Sequence, residues 1–228
     1  MVLGIDEAGR GPVIGPMVIC GVLASEETIK QLQELGVKDS KQLSRKRRKC
    51  LQEGIINVVE EYVLIEIAPC EIDSWLSSPG LNSLEAEKTA EIIRKLKPRI
   101  TYLDAPGKAS SYAKLLRSIL PPESCIVAEN FADKKYPIVS AASILAKVRR
   151  DEIIEELHRQ YNADFGSGYP GDKKTRDFLI RYYQQNGKFP EIVRTKWATI
   201  GKLIVSENQC SLNLSETPSK RYNNNGRS

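Results

Sequence analysis

A chain of 228 residues with 41% hydrophobic content is long enough for one sizeable core and too apolar to be disordered. Its formal net charge of +5 favours a polyanionic partner, although many plain enzymes carry a similar excess. No apolar run approaches the roughly 18 residues that cross a membrane, and the first residues lack a signal-peptide pattern, so a cytoplasmic protein without membrane contact is expected.

The first element is a short apolar run from Val2 to Ile5, read as a buried strand. It delivers two adjacent carboxylates, Asp6 and Glu7, then breaks into a turn on Gly9 and Gly11. Glycine lets the backbone approach a ligand and expose its N–H groups, and Arg10 adds a fixed cation suited to phosphate. Acids beside a phosphate cradle call for cations between the two negative partners, because like charges about 4 Å apart at an effective dielectric near 20 repel by roughly 4 kcal/mol. The plainer alternative is a hairpin whose acids face water and whose glycines merely permit the turn.

Met17 to Leu23 is a second β-rich run, placed to form a hairpin with the first. Glu26 to Leu35 reads as a helix stopped by Gly36. Beyond Val37-Lys38-Asp39-Ser40-Lys41-Gln42-Leu43, Ser44 can cap a helix that opens with Arg45, Lys46, Arg47, Arg48 and Lys49, either a solvated face or a phosphate-facing patch. Tyr62 to Ile67 has strand character, and Leu84 to Leu96 is helical, closed by Pro98. Arg99 to Asp104 is a strand ending on a carboxylate, turned at once by Ala105-Pro106-Gly107. Tyr112 to Ile119 gives a helix, Cys125 to Ala128 a strand, and Glu129 to Asp133 a connecting loop. Pro137 opens a long helix with Ile138, Ala142, Leu145, Val148 and Ile153 on one broad face. Gly166 to Asp172 is a rigid turn, Lys173 to Gln185 a helix, and Trp197 to Val205 a last apolar segment with Trp197 as a packing anchor. From Ser206 onward Ser and Asn replace apolar residues, and a disordered tail is expected.

Strands alternating with helices, with distant acids at strand ends, describe an α/β sheet with a site along one edge. Asp6, Glu7, Asp104 and Asp133 each lie at the end of a hydrophobic strand or just beyond it. The five cysteines are odd in number and lack CxxC spacing, so they read as free thiols, and the single histidine, His158, excludes His-rich metal sites. A carboxylate-rich site of this kind selects Mg²⁺ or Mn²⁺, and a pair of such ions can activate water and stabilise a leaving oxygen in phosphodiester hydrolysis. Neighbours in a regular strand point to opposite faces. Either the strand has therefore ended by Glu7, or the Glu7 main-chain carbonyl shares the metal binding with its side chain.

Several separate motifs now stand in order: Asp6-Glu7-Ala8-Gly9-Arg10-Gly11, Lys38-Asp39-Ser40-Lys41, Tyr102-Leu103-Asp104, Ala132-Asp133 followed by Val139 to Lys147, and Gly166-Ser167-Gly168-Tyr169-Pro170. Over roughly residues 1 to 203 the chain resembles ribonuclease HII in its compact archaeal form. The resemblance implies a ribonuclease H-like fold: a five-stranded mixed sheet flanked by helices over 1–160, a small helical C-terminal subdomain over 161–205, and a tail over 206–228. It implies that Asp6, Glu7, Asp104 and Asp133 are the catalytic, metal-binding acids holding two divalent ions, Mg²⁺ or Mn²⁺. Gly9, Arg10 and Gly11 would hold the backbone around the scissile phosphate, and Tyr169 would pack on the sugar beside the ribonucleotide. Lys38, Ser40, Lys41, Arg45, Ser143 and Lys147 would contact phosphates. The Tyr169-Pro170-Gly171-Asp172 turn departs from the family's usual Ser or Ala at its third position, with little consequence expected. Gln209-Cys210-Ser211-Leu212 keeps two elements of a sliding-clamp-binding peptide and lacks its terminal aromatics, which weighs against clamp binding.

The expected activity is that of a monomeric endoribonuclease acting on RNA–DNA hybrids and on duplex DNA that contains ribonucleotides. Two alternatives compete with it. A non-catalytic basic protein could coat nucleic acid, but four acids near a polyanion serve a binder poorly. A nuclease of the same fold could cut another substrate, which the Gly-Arg-Gly and Gly-Tyr-Pro elements argue against. Asp39 could equally cap a turn, Ser140 and Ser143 could be ordinary small residues near a helix start, and Asp151, Glu152, Glu155, Glu156 and His158 read as a solvated helix face.

Overall fold

The computed structural model describes residues 1–37, 43–76, 78 and 80–202. Five strands, β1 (Val2–Ala8), β2 (Met17–Ala24), β3 (Glu61–Ile67), β4 (Ile100–Asp104) and β5 (Ile126–Glu129), form one sheet in the order β3-β2-β1-β4-β5. The β1–β2 and β2–β3 pairs are antiparallel, and the β1–β4 and β4–β5 pairs are parallel, so the sheet is mixed. The helices are α1 (Glu26–Glu34), α2 (Arg45–Val58), α3 (Pro69–Leu76), α4 (Leu81–Leu96), α5 (Ala109–Ile119), α6 (Ala132–Lys135), α7 (Pro137–Gln160) and α8 (Lys173–Asn186).

Both faces of β1 are covered, which is why its apolar run is continuous. The two-residue period of a strand sorts the side chains. Val2, Ala8, Val18, Cys20 and Val22 pack with α1, α2 and α7, while Leu3, Ile5, Met17, Ile19 and Leu23 pack with α3, α4 and α5. Asp6 therefore belongs to the α7 face and Glu7 to the α4 face. The β1–β4 register pairs Gly4 with Tyr102 and Ile5 with Leu103, which carries Asp104 into the same row as Asp6.

The long helix differs from the expected one-sided pattern. All nine residues from Ile138 to Ala146 are buried, because this half of α7 lies between the sheet and the α1–α2 pair. The small residues Ser140, Ala141, Ala142, Ser143 and Ala146 let it fit there. Gly4 completes the fit, since a Cβ at this position would sit 2.5 Å from the Ile138 carbonyl and 2.7 Å from the Val139 nitrogen. Two elements also differ from the sequence reading. Helix α3 has no counterpart in it, and Asp133 lies in the single-turn helix α6 instead of a loop. The reason is tertiary: Asp104 Oδ1 accepts the N–H groups of Phe131 (2.7 Å) and Ala132 (3.3 Å), fixing the start of α6 with Phe131 in the left-handed region at φ 62°.

A third apolar cluster joins Val13 and Ile14, from the β1–β2 connection, to Ile154, Phe165, Phe178, Leu179 and Val193. Backbone bonds stitch the same connection to the C-terminal region: Gly168 O accepts from Val13 N (2.8 Å) and Ile14 N (3.2 Å), and Ile192 O accepts from Gly15 N (2.8 Å). The segment after the acids is thus held by chain more than 150 residues away, and the expected tail from 206 lies outside the described residues. Replacing Gly4 by Ala should destabilise the fold by about 3 kcal/mol or more through overpacking of α7 against β1. A urea titration reads this as a lowered midpoint, and an unchanged midpoint would contradict the close approach.

Candidate active site

Three acids converge where β1, β4 and α6 meet. One carboxylate oxygen from each of Asp6, Asp104 and Asp133 lies within 4.8 Å of the other two. Asp6 and Asp133 are almost fully buried, at 5% and 2% exposure, and Asp104 is half-buried at the end of its strand. Burial pushes the Asp6 carboxyl up to about 6, helped by the neighbouring Asp104 charge; Lys147, a hydrogen bond from Ser143 and the Glu7 N–H (2.8 Å to Oδ1) act the other way. The donor set is all carboxylate, desolvated and mutually repulsive, and therefore fits a hard divalent cation such as Mg²⁺ or Mn²⁺.

Glu7 is placed differently. Strand β1 continues through Ala8, so the strand has not ended at Glu7 and its side chain leaves on the opposite face from Asp6. There it meets Glu85 and Arg10. Desolvation raises its pKa well above the ordinary value, with further contributions from the charges of Asp6, Glu85 and Asp104, opposed by Arg10. The option of an early strand end is thus removed, and Glu7 still lines the cleft beside Asp6.

Asp6, Glu7 and Asp104 line a cleft of about 630 Å³ together with Gly9, Arg10, Gly11, Lys147, Arg150 and Tyr169, while Asp133 is buried behind it. Arg10 is held at its edge, with Nε 2.8 Å from Glu85 Oε1 and a second nitrogen 2.7 Å from Asn82 Oδ1. Burial pushes Glu85 up to about 7 against the opposing effect of Arg10. Tyr169 is 45% exposed and stands next to Gly11, where an added Cβ would lie 3.5 Å from its ring. Its other side faces Arg150, whose guanidinium carbon is 5.6 Å from the ring centroid.

Ser143 is fully buried, and Lys147 donates to it while lying 4.0 Å from Asp6 Oδ2. A hydroxyl without exposure reaches no phosphate, so Ser143 supports Lys147 and Asp6 from behind. Arg45 borders the cleft but is paired with Asp151 (3.3 Å) and Glu155 (2.6 Å), and Arg48 also pairs with Asp151 (2.8 Å). Asp151 and Glu155 are thus bonded to α2 and not simply solvated. His158 likewise packs edge-on against Phe165 and sits 3.0 Å from the Gly166 carbonyl. Lys38, Ser40 and Lys41 lie outside the described residues. The residues that sequence reasoning missed are Asn82, Glu85, Arg150 and Arg194. In a chain with 28% charged residues a lone Arg or Glu reads as surface, and only tertiary packing buries Glu85, Arg150 and Arg194, while Asn82 stays exposed beside Arg10.

A family model described as Ribonuclease HII matches residues 3–200. The chain is 48% identical over 203 residues to Ribonuclease HII of Pyrococcus furiosus, covering 88% of this chain and 89% of that protein. Against the crystal structure of ribonuclease H2 from Pyrococcus horikoshii it gives a TM-score of 0.84 at 44% identity, covering 91% of this chain and 99% of that one. The ribonuclease HII of Archaeoglobus fulgidus, solved as a complex with PCNA, matches with a TM-score of 0.80 at 42% identity, covering 89% and 96% of the two chains.

The raised Asp6 pKa makes a prediction about stability. A carboxyl at 3.8 when unfolded and about 6 when folded favours the folded state below pH 4 and loses that contribution as pH rises through 6. With metal removed by a chelator, Asp6→Asn should therefore raise the melting temperature by several degrees at pH 8 and by much less at pH 5. Saturating Mg²⁺ should reverse the order at pH 8 by stabilising the wild type alone. A substitution that is equally stabilising at both pH values would show that Asp6 is not desolvated in this way.

Proposed function

The chain belongs to the ribonuclease HII family and is an enzyme of the ribonuclease H type 2 class, and on that premise we propose that it hydrolyses the RNA strand of RNA–DNA hybrids and cuts on the 5′ side of single ribonucleotides in duplex DNA. The observation that carries the finer reading is one cleft lined by Asp6, Asp104, the Gly9–Gly11 turn and Tyr169, with the buried Asp133 carboxylate grouped with the first two. Asp6, Asp104 and Asp133, with the main chain at Glu7, would hold the divalent ions. When bound, a pair of such ions supplies an activated water and charge stabilisation at the leaving oxygen.

The rest of the chemistry falls to the chain's own groups. Lys147 sits beside Asp6 and limits its net charge, and Ser143 orients both. Water attacks phosphorus, the bond to the 3′ oxygen breaks, and that oxygen leaves as a hydroxyl while the phosphate stays on the 5′ end of the ribonucleotide. Phosphate contacts from Arg10 and the α2 arginines cannot separate RNA from DNA, because both backbones present the same phosphates; they set affinity and its salt dependence. The ribose 2′-hydroxyl must carry the distinction, and the main chain of Gly9-Arg10-Gly11 is its natural partner. Tyr169, beside Gly11, can press its ring on the adjoining deoxyribose, where an extra hydroxyl fits less well.

The direct test is incubation of a DNA duplex containing one ribonucleotide with and without Mg²⁺, where a single Mg²⁺-dependent cut 5′ of the ribonucleotide is expected. Binding without cleavage would favour a non-catalytic coat protein, and cutting of ribonucleotide-free duplex would favour another substrate class. Asp133→Asn should lower cleavage roughly a thousandfold, in keeping with several kcal/mol of lost charge stabilisation, while hybrid binding persists. Tyr169→Ala should lose most activity on the single ribonucleotide and a smaller share on a continuous hybrid, measured at one salt concentration. Equal losses on both substrates would remove Tyr169 from junction recognition.

A further inference from the structure

Arg194 is the largest fully buried side chain of the described residues, and it lies directly behind the turn that follows the acids. Its guanidinium donates to Gly9 O (2.6 Å), Arg10 O (2.9 Å) and Gly15 O (2.9 and 3.0 Å). All of these partners are carbonyls, and none is a carboxylate. A planar guanidinium with five donors can gather several carbonyls that an ammonium, with three donors around one point, cannot span. Its remaining face lies over Trp197, 5.2 Å from the ring centroid. The Arg194 N–H also donates to Val13 O (2.9 Å), so both its main chain and its side chain hold the same connection.

The consequence follows from peptide geometry. In a trans peptide the C=O of one residue and the N–H of the next point in opposite directions. With Gly9 O and Arg10 O drawn toward Arg194 in the core, the N–H groups of Arg10 and Gly11 point outward, toward the cleft that these residues line. Among the described residues neither N–H donates to a protein acceptor. Two adjacent unpaired donors form a receptor for an oxygen of phosphate or sugar. Arg150 closes the turn from the α7 side, because a Cβ on Gly9 would collide with its Cδ and Nε.

We propose that Arg194 is the positioning residue of the substrate-binding turn: by collecting the carbonyls of Gly9, Arg10 and Gly15 it aims the Arg10 and Gly11 N–H groups at the substrate. The inference rests on the proposed ribonucleotide-cutting activity for its kinetic consequence, but not for its structural one. Trp197 then packs on the guanidinium itself, so the anchor expected from sequence anchors the turn as well as the C-terminal region.

The test is Arg194→Lys, which keeps the charge and removes the fork. In the full chain with saturating Mg²⁺, hydrogen exchange over residues 9–16 should accelerate at least about tenfold while β4 and α7 keep wild-type protection. On duplex with one ribonucleotide, kcat/KM should fall about tenfold to a hundredfold, the range expected when a binding group is displaced by about 1 Å. The loss on a continuous hybrid should be smaller, and Mn²⁺ affinity, read by calorimetry, should be unchanged. Wild-type exchange over 9–16 together with wild-type kinetics would overturn the proposal. So would accelerated exchange across the whole sheet, or a variant that does not fold, because either makes Arg194 a general stability residue. If the wild type itself failed to cut the single ribonucleotide, the functional reading would fail, and the local exchange result would still decide the role of Arg194.

Discussion

Carboxylates confined within 4.8 Å of one another in a desolvated corner repel, and the architecture around them is arranged so that this repulsion persists. Asp6 sits on the central strand, where the sheet and α7 exclude water, and Asp104 is delivered to the same row by the parallel β1–β4 register. Asp133 comes from α6, whose start is fixed by Asp104 itself through two N–H bonds. One acid therefore helps to place another, and burial raises the proton affinity of Asp6. Such a site is poorly satisfied by protein alone and well satisfied by divalent cations, which is the thermodynamic basis for strong metal dependence.

The second constraint is the turn after the strand. Its glycines admit close neighbours, Arg150 behind Gly9 and Tyr169 beside Gly11, and its carbonyls are collected by a guanidinium from the far end of the described chain. A mobile loop would lose much of its binding energy in ordering. This one is held in place by the fold, so in the proposed substrate-binding role that cost is met within the folding of the protein. Of the basic residues of α2, Arg45 and Arg48 are engaged by Asp151 and Glu155 of α7.

Much of this was legible in the sequence. The strand runs, the glycine turn and the acids at strand ends follow from local pattern, and the mixed five-stranded sheet agrees with the fold expected from the resemblance. What local pattern could not reveal is tertiary in origin. Helix α6 exists because Asp104 caps it from another strand. Residues 138–146 of α7 are buried all round because two layers cover them, so a one-sided stripe understated their burial. Glu85 and Arg194 look like surface charges until packing places them against Arg10 and the turn. Ser143, expected near phosphate, proves too deeply buried for that contact.

Asp6, Asp104 and Asp133 come from three separate elements and are proposed to act as one cation site. Calorimetric titration of Mn²⁺ into the wild type and into Asp104→Asn, without nucleic acid, tests it most directly. Asp104 is the most exposed of the three, and asparagine keeps an Oδ1 that can accept the Phe131 and Ala132 N–H groups that start α6. At least about tenfold weaker Mn²⁺ binding is expected in the variant, since a charged ligand at a desolvated site is worth more than about 1.4 kcal/mol. Undiminished Mn²⁺ affinity in a folded Asp104→Asn protein would contradict it.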